Sequence, residues 1–307
     1  ELPATAVQGT GDKDWACTRD NVTGLIWEVK TTSGLHKSTD TFTWFKNGEG
    51  ISNGGSCQTS GRCDMEKFTE DVNQEGLCGR KDWRVPEIEE LESIVDYGVR
   101  LNTLDPAYFP YTADGDSFWS NNPSPAHHPA QYAYYIFAAD GAVTLGYLGK
   151  YETLRNVRLV SGTKTPSNYV DNGDSTVTDT TLGLMWKKDY EMNIPGEPAA
   201  DLTNLDAFTW SDALKRAAAD RTGGYSDWRL PNIKELRSLV DETRFSVAID
   251  PAFNKVFTQT HFWSSTPVQD FFFRSNQSWT VQFDDGTPQH LQLRSAKQHV
   301  RLVRDVK

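Results

Sequence analysis

The sequence predicts an α+β protein made of two tandem domains, each with two helices and an antiparallel sheet. Three observations lead to this fold class. A long motif occurs twice, helical spacing of apolar residues occurs in both halves, and alternating strand patterns fill the last third of each half. Helices followed by short strands favour an antiparallel sheet over a βαβ layout. We place the domains at residues 1–162 and 163–307, with a linker at 163–167.

The duplication is clearest around one tryptophan motif. The stretch DWRVPEIEELESIVD at 82–96 returns as DWRLPNIKELRSLVD at 227–241, so Asp82 corresponds to Asp227, 145 positions later. Trp27, Trp44 and Trp119 have counterparts in Trp186, Trp210 and Trp263. Since these landmarks keep the same order, the halves are copies of one domain.

The first copy is longer than the second and carries every cysteine. Trp83 follows Trp44 by 39 positions, whereas Trp228 follows Trp210 by 18, which leaves about 21 extra residues in the first copy. That insertion is rich in Gly, Ser and Asn. It contains two of the four cysteines, which are Cys17, Cys57, Cys63 and Cys78.

An even cysteine count predicts two disulfides and an oxidising compartment. The alternative is a zinc site, but the spacing contains no Cys-x-x-Cys and no nearby paired histidines. Of the three pairings, we predict Cys57 with Cys63 and Cys17 with Cys78, because the first closes a short Gly-rich loop.

Two helices are predicted in each copy. Pro86 and Pro231 suit the first turn of a helix, and the apolar residues that follow keep helical spacing for about three turns. A second helix is predicted over 211–220, where Ser211 can cap, and its partner in the first copy spans 64–74.

The last third of each copy predicts a β-hairpin. Trp279, Val281 and Phe283 alternate with polar residues before Asp-Gly at 285–286, and residues 134–148 repeat the pattern around Asp-Gly at 140–141. Each domain ends in a Val-Arg-Leu-Val strand.

Composition excludes several classes of partner. The net charge of -11 argues against nucleic acid, anionic lipid and sulfated polysaccharide, because polyanions need a basic surface. No apolar stretch reaches the 18 or so residues of a membrane span. Glu1-Leu2-Pro3-Ala4 does not resemble a signal peptide, so we expect a mature or trimmed chain.

Catalytic patterns are missing, and we predict no enzyme. The sequence has no Gly-x-Ser-x-Gly elbow, Walker loop or dinucleotide-binding glycine pattern. His127-His128 is expected in an exposed loop. The repeated Trp-Arg pair is interpreted as core packing, with Arg84 and Arg229 each bound to a buried carboxylate or carbonyl.

Two sets of candidate site residues remain. Asp171, Asp174 and Asp179 offer oxygen ligands for calcium, although Asp also favours tight turns by bonding its own backbone. The aromatic residues near the hairpins are candidates to stack on sugar rings or anchor a protein partner, while strand alternation predicts that about half of them are core. They are Tyr132, Tyr134, Tyr135, Phe271, Phe272 and Phe273.

At the Asp-Trp-Arg-Leu-Pro helix, the Phe-Trp-Ser-Ser segment and the final Val-Arg-Leu-Val strand, each half resembles the Lcl C-terminal domain family. The Asp-Asn-Gly-Asp-Ser-Thr-Val opening at 171–177 is similar too. The resemblance covers nearly all of 168–305 and most of 15–162, with the cysteine-bearing insertion as the departure. These motifs also resemble C-type lectin-like and formylglycine-generating-enzyme-like domains, which implies a C-type-lectin-like fold. Formylglycine generation requires reactive cysteines, and the second copy has none.

The resemblance implies an exported bacterial protein, extracellular, on the cell surface or periplasmic. The family's namesake adheres through glycosaminoglycans, a ligand that this acidic chain does not suit. We therefore predict a non-catalytic binding or adhesion protein that recognises an extracellular glycan or protein, with calcium as its one candidate cofactor. The alternative is a structural subunit of a surface filament or envelope assembly, which associates with itself.

Overall fold

The computed structural model describes residues 15–125, 131–147, 153–191, 207–253, 261–268, 276–284 and 288–306. The chain divides into two compact units, Glu1–Lys164 and Thr165–Lys307. Both are α+β, and the described residues form four α-helices and several small antiparallel sheets. Within these ranges, no helix has the length and apolar character needed to cross a membrane.

The first unit contains nine strands, two α-helices and a short 3-10 turn among its described residues. They are β1 (Cys17–Arg19), β2 (Ile26–Glu28), β3 (Phe45–Lys46), β4 (Glu49–Gly50), α1 (Met65–Glu75), the 3-10 turn (Leu77–Gly79), β5 (Trp83–Arg84), α2 (Ile88–Ser93), β6 (Ser117–Pro123), β7 (Tyr132–Phe137), β8 (Val143–Tyr147) and β9 (Val160–Ser161).

The second unit follows a similar order, with one additional strand at its start and no strands among its described residues that match β3, β4 and β5. Its described elements are β10 (Tyr169–Asp171), β11 (Thr176–Asp179), β12 (Leu184–Lys187), α3 (Trp210–Ala219), the 3-10 turn (Thr222–Gly224), α4 (Ile233–Arg237), β13 (His261–Pro267), β14 (Gln277–Gln282), β15 (Pro288–Leu293) and β16 (Val303–Asp305).

Each unit has one four-stranded and one three-stranded antiparallel sheet. The four-stranded sheets run β1-β2-β9-β5 and β10-β11-β12-β16, and the three-stranded sheets run β6-β7-β8 and β13-β14-β15. The chain's last strand in each unit pairs with an early one, as Trp27 opposite Val160 and Trp186 opposite Val303. The predicted hairpins are β7–β8 and β14–β15, and the turn at 285–287 lies outside the described residues.

The helices after the Trp-Arg motifs are shorter than the sequence predicts, with six and five residues. They also begin two residues beyond the proline, because Asn232 bonds the backbone N–H of Glu235 at 2.9 Å and Glu235 bonds that of Asn232 at 2.7 Å. This reciprocal capping box fixes the helix start. Leu239 and Val240 were predicted to lie in a third turn of the helix. They are buried, but they lie in the chain turn that follows the helix.

The other helices lie close to their predicted positions. Asp64 caps α1 by accepting a hydrogen bond from the backbone N–H of Lys67, and Gly76 ends it in the left-handed region. Helix α3 begins at Trp210 because Thr209, not Ser211, caps it. The prediction of Ser211 as cap is therefore wrong by two residues.

Matched tryptophans organise both cores. The indole of Trp119 donates to the Phe42 carbonyl at 3.0 Å, and Trp263 donates to the Phe208 carbonyl at 2.8 Å. The indole of Trp44 likewise donates to the Ser120 carbonyl at 2.9 Å. Since a buried indole N–H needs an acceptor, the repeated bonds hold the same side chains at the same depth in both domains.

The structure confirms two disulfides with the predicted pairing. Cys17 is bonded to Cys78, and Cys57 to Cys63. The first joins β1 to the 3-10 turn after α1, across a sequence separation of 61 residues. The second closes the insertion on itself, with a separation of 6 residues.

Candidate functional site

The aromatic residues predicted at the first hairpin are mostly core. Tyr134 and Tyr135 are both buried, and Tyr132 is partly buried. Adjacent residues of a strand point to opposite faces, so both faces of β7 are covered here. Tyr135 packs edge-on against Trp119, with ring centroids 5.7 Å apart. This burial corrects the prediction that Tyr134 and Tyr135 face a ligand.

The corresponding residues of the second copy, Phe271, Phe272 and Phe273, lie outside the described residues, as does His127-His128. Their assignment as ligand-facing or loop residues stays a prediction.

The three aspartates predicted as calcium ligands each form a local turn. Asp171, Asp174 and Asp179 accept a hydrogen bond from the backbone N–H two residues further along, at 3.0, 3.1 and 2.9 Å. This is the self-bonding that makes Asp a turn residue. Within the described ranges, no group of three or more His, Cys, Asp or Glu side chains is placed to hold a metal. Calcium binding stays a prediction that these contacts do not support.

The Trp-Arg motifs have the structural role that the sequence predicts. Arg84 donates to both carboxylate oxygens of Glu90, at 2.7 and 2.6 Å, and Arg229 donates to both of Glu235, at 2.8 Å. Glu90 is buried, and its hydrogen bond to Arg84 is the largest cause that raises the pKa of the guanidinium. These forked pairs join the start of the second helix to the sheet.

An open cavity of about 490 Å³ lies in the first domain, beside the cysteine-bearing insertion. Its volume is within the range of about 300–1,000 Å³ typical of small-molecule sites. Hydroxyl, amide and charged groups lie beside apolar surface in its lining, which consists of Thr32, Ser33, Gly34, Lys37, Thr39, Asp40, Ser56, Cys57 and Gln58. We define the two sides as the 31–38 wall and the insertion wall, residues 55–58.

The insertion wall is fixed by backbone pairing and by a disulfide. Thr41 and Ser56 exchange two backbone hydrogen bonds of 2.9 Å each, and the N–H of Gly55 donates to the Cys63 carbonyl at 3.0 Å. A Cβ at Gly55 would lie 2.2 Å from the Thr41 carbonyl oxygen, so the close approach requires glycine. The Cys57–Cys63 bridge then closes this wall at its end.

The 31–38 wall is a compact turn. The N–H of Thr31 donates to the His36 carbonyl, and the N–H of Ser38 donates to the Thr31 carbonyl, both at 2.9 Å. Asp40 connects the two walls, because its Oδ2 accepts the backbone N–H of Gln58 at 3.0 Å. Its other oxygen lies 4.0 Å from Nζ of Lys37. One cation and one carboxylate therefore face a site rich in hydroxyls.

A buried group of charges lies beneath the 31–38 wall. The Glu28 carboxylate is 2.7 Å from Nζ of Lys30 and 2.8 Å from Nδ1 of His36. The other ring nitrogen of His36, Nε2, is 2.8 Å from Oε2 of Glu75 at the end of α1. Glu28, Lys30 and His36 are buried, and Glu75 is partly exposed.

Mutual attraction outweighs burial for two members of this group. Burial by itself would raise the pKa of Glu28, but Lys30 and His36 hold it at about 2. Burial likewise opposes a charged His36, yet Glu28 and Glu75 raise its pKa above the usual 6.5. For Lys30, burial prevails and lowers the pKa, with Glu28 offsetting part of the effect.

The second domain inverts the charge at the same position. Lys187 stands where Glu28 does, one residue after the matched tryptophan, and its Nζ lies 2.7 Å from Oδ2 of Asp220. Each domain places a buried arginine beside this position, Arg158 in the first and Arg301 in the second. Arg158 donates to the backbone carbonyl of Glu28 at 2.8 Å, and Arg301 donates to that of Lys187 at 2.9 Å. Because the bond is to the backbone, it forms with either charge on the side chain. The histidine bridge belongs to the first domain's version of this position.

Sequence reasoning missed the cavity, the histidine bridge and several exposed aromatic residues. Tyr108, Tyr111 and Phe245 are about half exposed, and all three lie in loops between the second helix and the three-stranded sheet. The loop is matched between the copies, since Leu101 and Ser246 share a positive φ of 60° and 64°. These two residues are 145 positions apart, the same offset as the repeated Trp-Arg motifs, and this offset was the one sequence signal that could have pointed to the loop.

The family model of the Lcl C-terminal domain matches two stretches, residues 16–161 and 175–304. No curated protein matches the chain. The two matched stretches correspond to the two structural units and take in most of the sequence. The chain therefore belongs to the Lcl C-terminal domain family, with two tandem copies of its domain.

Proposed function

We propose that the protein is a non-catalytic binding or adhesion protein of the bacterial surface or envelope, which recognises a polar extracellular ligand such as a glycan in the cavity of its first domain. The cavity carries the proposal, because it is built where the two copies differ. A shared scaffold usually hosts its specific function in variable loops.

The chemistry of the lining supports a polyhydroxylated ligand. The hydroxyl groups of Thr32, Ser33, Thr39 and Ser56 are able to donate and accept hydrogen bonds, and Asp40 with Lys37 adds one carboxylate and one ammonium. The strongest charge cluster, around Glu28, is closed beneath the wall and satisfied internally. This arrangement favours recognition over catalysis.

Export is supported by the disulfides, which persist in oxidising compartments. A C-type-lectin-like fold is part of the proposal. Two helices per domain, packed with small antiparallel sheets and long loops, are consistent with such a fold.

A structural or self-associating role is the second candidate. One loop of the first domain exposes four large apolar residues, which suits a protein partner or a second copy of the chain. They are Val99, Leu101, Tyr108 and Tyr111.

A glycan array, run with and without calcium, tests the first candidate. We expect at least one glycan to bind the wild-type chain, and binding to fall about tenfold or more in Lys37→Ala and in Ser56→Tyr, which fills the cavity. Lys215→Ala, on the exposed face of α3, is the matched control and should bind normally. Absence of glycan binding, together with self-assembly on a sizing column that Tyr108→Ser abolishes, would favour the structural role.

A further inference from the structure

We propose that protonated His36 is the positioning residue of the cavity, and that loss of its proton releases the 31–38 wall. The inference rests on the proposed function in taking this cavity as the ligand site. It makes ligand binding by the first domain dependent on pH.

The hydrogen-bond geometry requires both ring nitrogens of His36 to carry protons. Each nitrogen lies 2.8 Å from a carboxylate oxygen, Nδ1 from Glu28 and Nε2 from Glu75. An ionised carboxylate accepts hydrogen bonds and donates none, and a neutral imidazole has a single N–H. The neutral ring would therefore leave a lone pair facing one carboxylate at hydrogen-bond distance. Only the imidazolium satisfies both contacts.

The charges around the ring balance when it is protonated. Glu28 and Lys30 face it from β2 and the segment after it, and Glu75 faces it from α1. Arg158, from the segment before β9, binds the Glu28 backbone carbonyl on the far side, and the backbone N–H of Leu159 bonds the second Glu28 oxygen at 2.8 Å. The four side chains in direct contact, two carboxylates, one ammonium and one imidazolium, sum to zero. Deprotonation removes the charge partner of Glu75 and one of the two cationic contacts of the buried Glu28.

The bridge connects the wall to the core. Backbone hydrogen bonds of the 31–38 wall close on themselves, from Thr31 to His36 and from Ser38 to Thr31. The His36 side chain adds the contact to β2 through Glu28 and to α1 through Glu75. The insertion wall does not depend on the His36 bridge, because the Cys57–Cys63 disulfide holds that side of the cavity. Deprotonation should thus loosen one wall and leave the other.

The sign of the pH effect follows from the direction of the shift. The folded state raises the pKa of His36, so the bridge contributes fully below the unfolded pKa near 6.5 and is lost as pH rises through the folded pKa. At the matched position of the second domain, Lys187 bonds Glu191 and Asp220 directly. That domain serves as the internal control.

Hydrogen exchange of the full, disulfide-bonded chain between pH 5.5 and 9 tests the proposal without any ligand, so a failure would leave the proposed function standing. After correction for intrinsic exchange, we expect protection of residues 31–38 to fall in one step as pH rises. The fall is about tenfold for each unit by which the folded pKa exceeds the unfolded one. Residues 55–58 should show no step.

Two substitutions on α1 provide the matched comparison. Glu75→Gln removes the outer carboxylate, whose side chain is 40% exposed, and should move the step about one pH unit lower. Glu70→Gln removes an equally charged side chain, 62% exposed, on the same helix and should leave the step in place. His36→Gln should abolish the step.

The proposal is overturned if wild-type residues 31–38 follow intrinsic exchange across the whole range, or if Glu75→Gln leaves the step unmoved. The proposal is also overturned if the pH-dependent step in protection of residues 31–38 persists in His36→Gln. Should His36→Gln fail to fold, Glu75→Gln still decides, because its side chain lies at the edge of the group.

Discussion

A disulfide can be transplanted from the first domain into the second. Cys17 at the start of β1 corresponds to Thr176 at the start of β11. Cys78 and Gly223 also correspond, since each lies in the 3-10 turn of its own domain. Cys78 and Gly223 share the left-handed backbone, with φ of 51° and 63°. A Cβ built on Gly223 would lie 3.0 Å from Cγ2 of Thr176. The double substitution Thr176→Cys with Gly223→Cys therefore places two thiols within bonding range.

The expected gain is the loop-closure term less the backbone strain and the loss of the Thr176 hydroxyl's hydrogen bonds with Asp174 and Asn172, which costs about 1 kcal/mol. Closing the 47-residue separation from 176 to 223 stabilises by about 4 kcal/mol in the chain-entropy description. Replacing glycine in the left-handed region costs about 1–2 kcal/mol. The bridged variant should gain about 1–2 kcal/mol, which raises the melting temperature of a domain this size by roughly 2–8 °C.

Scanning calorimetry of the oxidised full chain measures this gain, and mass spectrometry of unreduced peptides verifies the bond. Gly223→Ala isolates the strain and should lower the transition of the second domain. The reasoning is refuted if the bond forms and the transition does not rise above that of the wild type, or if the thiols remain reduced under conditions that oxidise the native pairs.

Three further predictions concern stability. Cys17→Ser opens a bridge spanning 61 residues and should lower the free energy of unfolding by about 4 kcal/mol, whereas Cys57→Ser opens one spanning 6 and should lower it by about 2 kcal/mol. Denaturant titrations measure both losses, and the reverse order would contradict the loop-length argument. Arg84→Met leaves the Glu90 carboxylate, 1% exposed, without its partner and should lower stability by about 3 kcal/mol. Arg229→Met leaves the Glu235 carboxylate, 16% exposed, and should lower stability less. Equal shifts in calorimetry would refute the role of burial. Trp119→Phe removes an indole hydrogen bond in a fully buried site and should cost about 2 kcal/mol or more by equilibrium unfolding; a loss within about 0.5 kcal/mol would show that the bond and its packing are replaceable.

Features that depend on local chemistry were predictable. The helix over 64–74, the Asp-Gly turn at 140–141 and the pairing of Cys57 with Cys63 each involve groups a few residues apart, so a short stretch of sequence contains the whole interaction. Arg84 and its carboxylate partner are six positions apart across a helix start, which is also a local relation.

Features that depend on what covers a surface were not. Strand alternation predicted that about half of the hairpin aromatic residues would be core, but both sides of β7 are covered and Tyr134 and Tyr135 are both buried. Helix α4 ended early for a related reason, since Val240 is buried in the turn after it, where its backbone pairs with Ile249. Neither outcome can be read from the period of a single segment.

By itself, the sequence determined that this protein is one domain used twice, in an α+β arrangement with two disulfides confined to the first copy. Repetition and cysteine spacing are written in residue order, so no coordinates are needed to read them. Only the tertiary structure decided where the cavity of the first domain lies and which contacts hold its walls. His36 meets Glu28 and Glu75 from 8 and 39 positions away, and the cavity lies between segments that folding alone brings together.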